Sequence, residues 1–346
     1  MNHILQEDIE YIAMSKSIEW KELENKSVLV TGATGLIGSQ IIMALDEHNK
    51  SNKNPITIYA YARNEEKARK KFEDCTTYVK IVIGDICDDI KIDKPIDYII
   101  HGASITGSKQ FVDCPVETIM TGIEGTKNIL EFAREKQIKE MVYLSSLEVY
   151  GVTDFSLKSV KEDQYGYIEQ LSPRSSYSEG KRMIECMCVS YGSEYGVPVK
   201  IVRLSQTFGP GVSYEDGRVF AQFARAAIEN KNIVLKTKGE TYRNYCYTRD
   251  AVIGILCVLL KGEKREAYNI ANEETGISIC DMARLVAEDI KKRKIKVIFD
   301  IDDDIEKLGY APTIKIALNT KKVQKLGWKA EIGLKVAYNR MIEYMK

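Results

Sequence analysis

The stretch Ser27-Val-Leu-Val-Thr-Gly-Ala-Thr-Gly-Leu-Ile-Gly38 decides the fold. Ser27–Val30 reads as a short apolar strand, and it runs directly into three glycines at T-G-x-x-G-x-x-G spacing. A helical pattern follows through about Glu47. In that context Gly32 permits a tight turn, Gly35 lets a backbone approach a pyrophosphate, and Gly38 lets the helix pack close to the strand. The helix start then turns its free N–H groups and the positive end of its dipole toward the phosphates. An ordinary turn would need three glycines to fall here by accident. No G-K-[ST] follows Gly38, which excludes a P-loop. Thr34, Leu36 and Ile37 complete the loop as candidate cofactor contacts.

Outward from this loop, strands and helices alternate. Ile56–Ala60, Val79–Ile83, Tyr98–His101, Met141–Ser145 and Val199–Leu204 read as strands. Glu65–Phe72, about Pro115–Lys136 and a segment containing Tyr177 read as helices. Right-handed βαβ units in this order give an α/β fold of Rossmann type, a doubly wound parallel sheet, with a smaller C-terminal substrate-binding region. Residues 27–205 form the dinucleotide-binding domain, and residues 206–346 supply most of the substrate side, interleaved with the sheet. Residues 1–26 form a helical extension with Ile4, Leu5, Ile9, Ile12 and Met14 roughly on one side, a docking helix or a small partner-binding piece.

Bulk properties narrow the partners. Lys+Arg and Asp+Glu both number 50 in 346 residues, so no basic field argues for nucleic acid. The longest apolar run, Ala251–Leu260, is far too short to span a bilayer, and the N-terminus lacks an apolar signal core. Eight cysteines without C-x-x-C pairs, and only three histidines, offer neither a disulfide framework nor metal-ligand spacing. Cys186 and Cys188 read as small packing residues on different helix faces, and the reducing cytoplasm is the expected compartment.

Past the second strand, where an acid would hold the adenosine ribose, the chain reads Tyr61-Ala-Arg-Asn64. Arg63 could instead pair with a 2′-phosphate, which tilts the cofactor from NAD toward NADP; the alternative is a solvated arginine at a strand end. Asp85, before Ile86, could reach the adenine amino group, and Gly102, Ala103 and Ser104 are small where a cofactor would pass close to the sheet. In Ser175-Ser-Tyr-Ser-Glu-Gly-Lys-Arg182, Tyr177 and Lys181 lie four apart, on one face of a helix. An ammonium there can stabilise a phenolate, giving an acid/base near neutral pH. With 20 tyrosines in the chain, such a pair alone also arises by chance.

The glycine loop, Ser145-Ser-Leu-Glu-Val-Tyr-Gly151 and the Tyr177–Lys181 pair, in this order, resemble the extended short-chain dehydrogenase/reductase family. More narrowly, the chain is similar to that family's nucleotide-sugar epimerases, dehydratases and decarboxylases. The resemblance runs from about Lys26 to the end, where Leu318-Asn-Thr-Lys321 and Leu326-Gly-Trp328 look like its closing segment. It implies that Tyr177 is the acid/base on the sugar hydroxyl, that Lys181 tunes it and binds the nicotinamide ribose, and that Ser146 hydrogen-bonds the same hydroxyl. It also implies a homodimer through the helices that include Tyr177's own.

The next two positions divide the subfamilies. The 4,6-dehydratases resemble this stretch but carry T-D-E, and Leu147 stands in place of their acid, which disfavours dehydration. UDP-glucuronate decarboxylases carry T-S-E-V-Y-G and P-R-S-x-Y-x-E-G-K-R; Pro173–Arg182 is close to the latter, while Leu147 departs from the serine. A small apolar residue occupies this position in simple 4-epimerases, where Leu147 fits best. Glu148 reads as a base at C5 or as a buried acid satisfied by hydrogen bonds. Arg218 and Arg243 are the candidates for the nucleotide diphosphate, Arg243 within a segment similar to the family's R-x-(aromatic)-x-Y; Arg203 supports a strand end. The expected activity is epimerisation by transient C4 oxidation and hydride return. A decarboxylase and an NADPH-dependent 4-ketoreductase are the alternatives, and a non-catalytic cofactor sensor is the alternative of another class.

Overall fold

The computed structural model describes residues 2–301 and 313–346. In chain order it opens with α1 (His3–Ala13), α2 (Trp20–Leu23), β1 (Ser27–Thr31), α3 (Leu36–Lys50), β2 (Thr57–Ala62), α4 (Glu65–Lys71), β3 (Val79–Ile83) and β4 (Tyr98–His101). There follow α5 (Gln110–Asp113), α6 (Pro115–Lys136), β5 (Glu140–Ser146), α7 (Ser176–Glu194), β6 (Val199–Leu204), β7 (Gln206–Phe208) and α8 (Val219–Glu229). The chain continues with β8 (Ile233–Leu235), β9 (Tyr242–Tyr247), α9 (Thr248–Lys261) and β10 (Ala267–Ile270).

Seven strands form one parallel sheet in the order β10-β6-β5-β4-β1-β2-β3. All five residues of β1 are buried, as a strand covered on both faces requires. The order reverses between β1 and β4, and in such sheets the crevice beyond the strand ends at the reversal holds the ligand. One layer packs α3 and α9 against the sheet, with α1 laid over those two helices, through residues such as Ile9, Ile41, Ile42 and Leu256, all fully buried. On the other side α6 and α7 pack on one another, with Ile129, Leu130, Ile184 and Cys188 in the core.

In the C-terminal half β10 adds the seventh strand beside β6, and α9 lies along it. The apolar run Ala251–Leu260 falls inside α9, of whose residues twelve are buried. No helix among the described residues is long and apolar enough to cross a membrane. A second core, around Phe208, Phe220, Phe223, Tyr247 and Tyr338, joins α8, β9 and the C-terminal helix Leu334–Met345.

Three expectations need correction in part. The apolar side of α1 is spent inside the molecule, packed on α3, α9 and the C-terminal helix, so it is not a free partner-binding face. Asp8, 1% exposed, locks it there by accepting from Tyr247 and from Arg340, whose Nη2 lies 2.9 Å away. Met14 leaves the apolar stripe because α1 ends at Ala13, and it is 74% exposed. Cys186 is exposed whereas Cys188 is buried, since a two-residue step on α7 carries the side chain round to another face.

Candidate active site

The loops beyond β1 to β5 meet at one edge of the sheet. Gly32 adopts φ +68°, and a Cβ there would lie 2.7 Å from the Gly102 carbonyl carbon and 2.9 Å from the Ala103 nitrogen. A Cβ on Gly38 would lie 2.4 Å from the Gly32 oxygen. These two glycines therefore let the β1 turn, the start of α3 and the Gly102-Ala103-Ser104 segment close on one another. Gly35 is the N-cap of α3 and no side chain caps the helix, so Leu36, Ile37 and Gly38 begin it with N–H groups free for an anion. Thr34 lies in the same turn. These features fit the pyrophosphate of a dinucleotide.

His101 braces this cradle, and nothing in the sequence marked it. Its Nδ1 is 2.7 Å from Thr31 Oγ1 and its Nε2 3.1 Å from Thr126 Oγ1. Thr31 Oγ1 accepts from the Gly102 and Ala103 nitrogens, so the hydroxyl donates to the imidazole. Burial, with the Lys181 ammonium, lowers the imidazole to about 3 and keeps it neutral.

Beyond β2 and β3, Asp85 Oδ1 accepts from Cys87 N at 2.9 Å, and its Oδ2 lies 3.8 Å from Arg63 Nη1. The Arg63 side chain is 69% exposed, so it stands at the strand end in solvent and its pairing with Asp85 is a weak surface contact. Ile86 is buried under α6, where Gly125 makes room for it.

The 3-10 helix Leu147–Tyr150 follows β5, and α7 begins at Ser176; together they gather Ser146, Glu148, Tyr177 and Lys181. Lys181 is buried, donates to the Leu144 oxygen at 2.8 Å and sits 5.6 Å from the centre of the Tyr177 ring. Burial lowers its ammonium to about 8, against the opposing pull of Glu185. The Tyr177 phenol is held above its ordinary value, first by burial and then by the Glu148 charge, with Ser146 hydrogen bonding and Arg218 pulling the other way. Desolvation and the Glu148 carboxylate thus hold the phenol up, opposite to the depression expected from Lys181.

Leu147 is 2% exposed and packs with Val149, Val160, Ile316 and Leu318, turned into a core rather than into the site. Glu148 is half-buried, and its carboxylate has no hydrogen-bond or ion-pair partner among the described residues. Below the site Arg203 binds Glu185, with Nη2 to Oε2 at 2.6 Å, and the Tyr150 hydroxyl at 2.9 Å. Ser145 Oγ also donates to Glu185, at 2.6 Å, so Arg203 ties β6 to α7 and supports the strand end.

The two arginines expected to meet the substrate differ. Arg218 closes on Asp216, Nη2 to Oδ2 2.6 Å, and a diphosphate must compete with that carboxylate. Arg243 lies on β9 with a buried Nε that has no hydrogen-bond partner. A buried unpaired guanidinium nitrogen costs free energy unless a ligand satisfies it.

The model of the NAD dependent epimerase/dehydratase family matches residues 28–271. UDP-glucuronic acid decarboxylase 1 of Xenopus tropicalis is 28% identical over 94% of this chain and 73% of its own. The dTDP-D-glucose 4,6-dehydratase of Homo sapiens is 27% identical, covering 93% of this chain and 90% of its own. Among solved structures, the UDP-glucose 4-epimerase of Thermotoga maritima with UDP-glucose superposes with a TM-score of 0.77 at 21% identity, over 92% of this chain and 98% of that one.

Proposed function

The chain belongs to the NAD-dependent epimerase/dehydratase family, and from that premise we propose that it inverts C4 of a nucleotide-diphosphate sugar by transient oxidation. The observation that carries this reading is the pairing of a gathered Ser146, Tyr177 and Lys181 with a Leu147 buried in an apolar cluster. The first three handle a sugar hydroxyl, and the fourth withholds the acid that dehydration requires.

The Gly32–Gly38 turn and Gly102-Ala103-Ser104 would hold a nicotinamide cofactor, which would supply the acceptor and donor of a hydride at C4. The chain's own residues manage the proton. Tyr177 Oη takes it from the C4 hydroxyl during oxidation and returns it during reduction, while Ser146 Oγ holds the oxygen by a hydrogen bond. Lys181, largely protonated at neutral pH, is the positive charge that favours the phenolate when substrate closes the site. The Arg243 Nε, unpaired and buried, binds a diphosphate oxygen, and Arg218 joins it after release from Asp216. Arg63, beside the adenosine ribose, favours NADP over NAD. Exposed Val116 and Met120 on α6 and Met183 on α7 support a homodimer through these adjacent helices.

Decarboxylation of a uronic acid is the second reading. It is supported by the relatives named decarboxylases, by Pro173–Arg182, and by Arg174, whose guanidinium has no carboxylate partner among the described residues. Proton NMR of the protein incubated with UDP-glucose, UDP-glucuronic acid and dTDP-glucose separates the two. Two C4 epimers at equilibrium, without net change in nicotinamide absorbance, are expected. Release of carbon dioxide, or a 4-keto-6-deoxy product, would sink the epimerase reading.

A further inference from the structure

Phe111, on α5 beyond β4, is 4% exposed, and its ring lies face to face on that of Tyr177, with centroids 4.2 Å apart and planes 9° from parallel. Rings at that separation are in van der Waals contact and exclude water from between them. Arg174 adds a third layer, its Cζ 5.3 Å from the centre of the Phe111 ring. The backbone carrying the ring is tied to the helix carrying the phenol. Ser176, the residue before Tyr177, donates its Oγ to the Phe111 oxygen at 3.0 Å. At the other end of α5, Cys114 donates to the Gln110 oxygen at 2.9 Å and accepts from Thr118 Oγ1 at 2.8 Å, which anchors the short helix on α6.

We infer that Phe111 is a positioning residue for the proton transfer: its stacked ring fixes the plane of Tyr177 and keeps water off one face, leaving the hydroxyl edge for Ser146 and substrate. The inference rests on Tyr177 being the proton carrier, as proposed above. A stacked ring also restricts rotation about the Cβ–Cγ bond; Oη lies on that axis and stays in place, but the ring plane, in which the conjugated O–H lies, is fixed, and proton transfer is steeply sensitive to such alignment. The charged groups around Tyr177 are Glu148 after β5, Lys181 on α7, Arg218 before α8 and, beyond Phe111, Arg174. Burial is the largest influence on the phenol, and Phe111 is the apolar cover stacked directly on its ring.

The test uses the protein as purified, with tyrosine rings labelled in carbon-13 and the Tyr177 signal identified by its disappearance in Tyr177→Phe. Phe111→Leu keeps an apolar cover but removes the flat ring. Its Tyr177 ring signals should move downfield as the ring-current shielding is lost, and kcat should fall about tenfold with KM little changed. Phe111→Ala admits water, and its Tyr177 phenol should titrate about one pH unit or more below that of the unsubstituted protein. Ring signals unmoved in Phe111→Leu, a kcat unchanged in both variants, or a phenol titration unmoved in Phe111→Ala would each overturn the inference; should the alanine variant fail to fold, the leucine variant decides. Full turnover in Tyr177→Phe would instead overturn the proposed function. An inactive Tyr177→Phe beside Phe111 variants of unaltered shifts and kcat overturns the positioning role alone.

Discussion

Gly32→Ala should damage the cofactor cradle by an amount the geometry sets. Gly32 sits at φ +68°, where an L side chain costs about 1–2 kcal/mol. The added methyl would lie 2.7 Å from both the carbon and the oxygen of the Gly102 carbonyl and 2.9 Å from the Ala103 nitrogen, all backbone atoms that cannot rotate away. Prising the β1 and β4 ends apart adds about 1–3 kcal/mol, as overpacked sites do. The sum is about 2–5 kcal/mol. Each 1.4 kcal/mol is tenfold in affinity, so a strain confined to the cradle weakens cofactor binding by about thirtyfold or more. Gly217→Ala is the control, because a Cβ there meets nothing within 4 Å; it should change stability by less than about 1 kcal/mol. Calorimetric titration with NAD and with NADP, beside urea unfolding, reads both quantities. A Gly32→Ala protein that binds either cofactor as the unsubstituted protein does, with the same urea midpoint, would refute the reasoning.

Arg243→Ala should weaken UDP binding by about ten- to a hundredfold while leaving cofactor affinity unchanged, since its unpaired Nε lies on β9, away from the glycine turn; equal UDP affinity would remove it from the substrate site. Leu147→Ala should cost about 2–5 kcal/mol in urea unfolding through the cavity it leaves beside Val160, Ile316 and Leu318, and an unchanged midpoint would contradict its burial. His101, lowered by burial to about 3, protonates in the unfolded chain near 6.5. Its contribution is therefore complete above about pH 6.5 and is lost, at about 1.4 kcal/mol per pH unit, as the pH falls from there toward 3. Urea midpoints of the unsubstituted protein should fall more steeply than those of His101→Gln between about pH 7 and 5. Parallel pH profiles would show that His101 is not held neutral.

Much of the dinucleotide half was legible because its signals are local. Val79–Ile83, Tyr98–His101, Val199–Leu204 and the helix Pro115–Lys136 fall where hydrophobic runs and flanking turns put them, and the glycine spacing located the β1–α3 turn. What escaped depends on distant contacts. β10 is four residues long and becomes a sheet strand only by pairing with β6, far earlier in the chain. Whether α1 docks internally or binds a partner is decided by Tyr247 and Arg340, more than two hundred residues away. At the site, Tyr177 and Lys181 announced themselves by spacing, but the ring stacked on the phenol, Phe111, and the carboxylate that raises it, Glu148, come from two other segments. Leu147 was recognised as a departure from related enzymes, but its turn into an apolar core appears only when Ile316 and Leu318 fold back over it.

The central claim, that Tyr177 moves the proton on the sugar hydroxyl, is tested most directly by the turnover of Tyr177→Phe with cofactor retention measured on the same sample. The expected result is a protein that keeps its cofactor, folds as before and loses turnover by about a hundredfold to ten-thousandfold. A Tyr177→Phe protein that interconverts the sugar at the unsubstituted rate would contradict it.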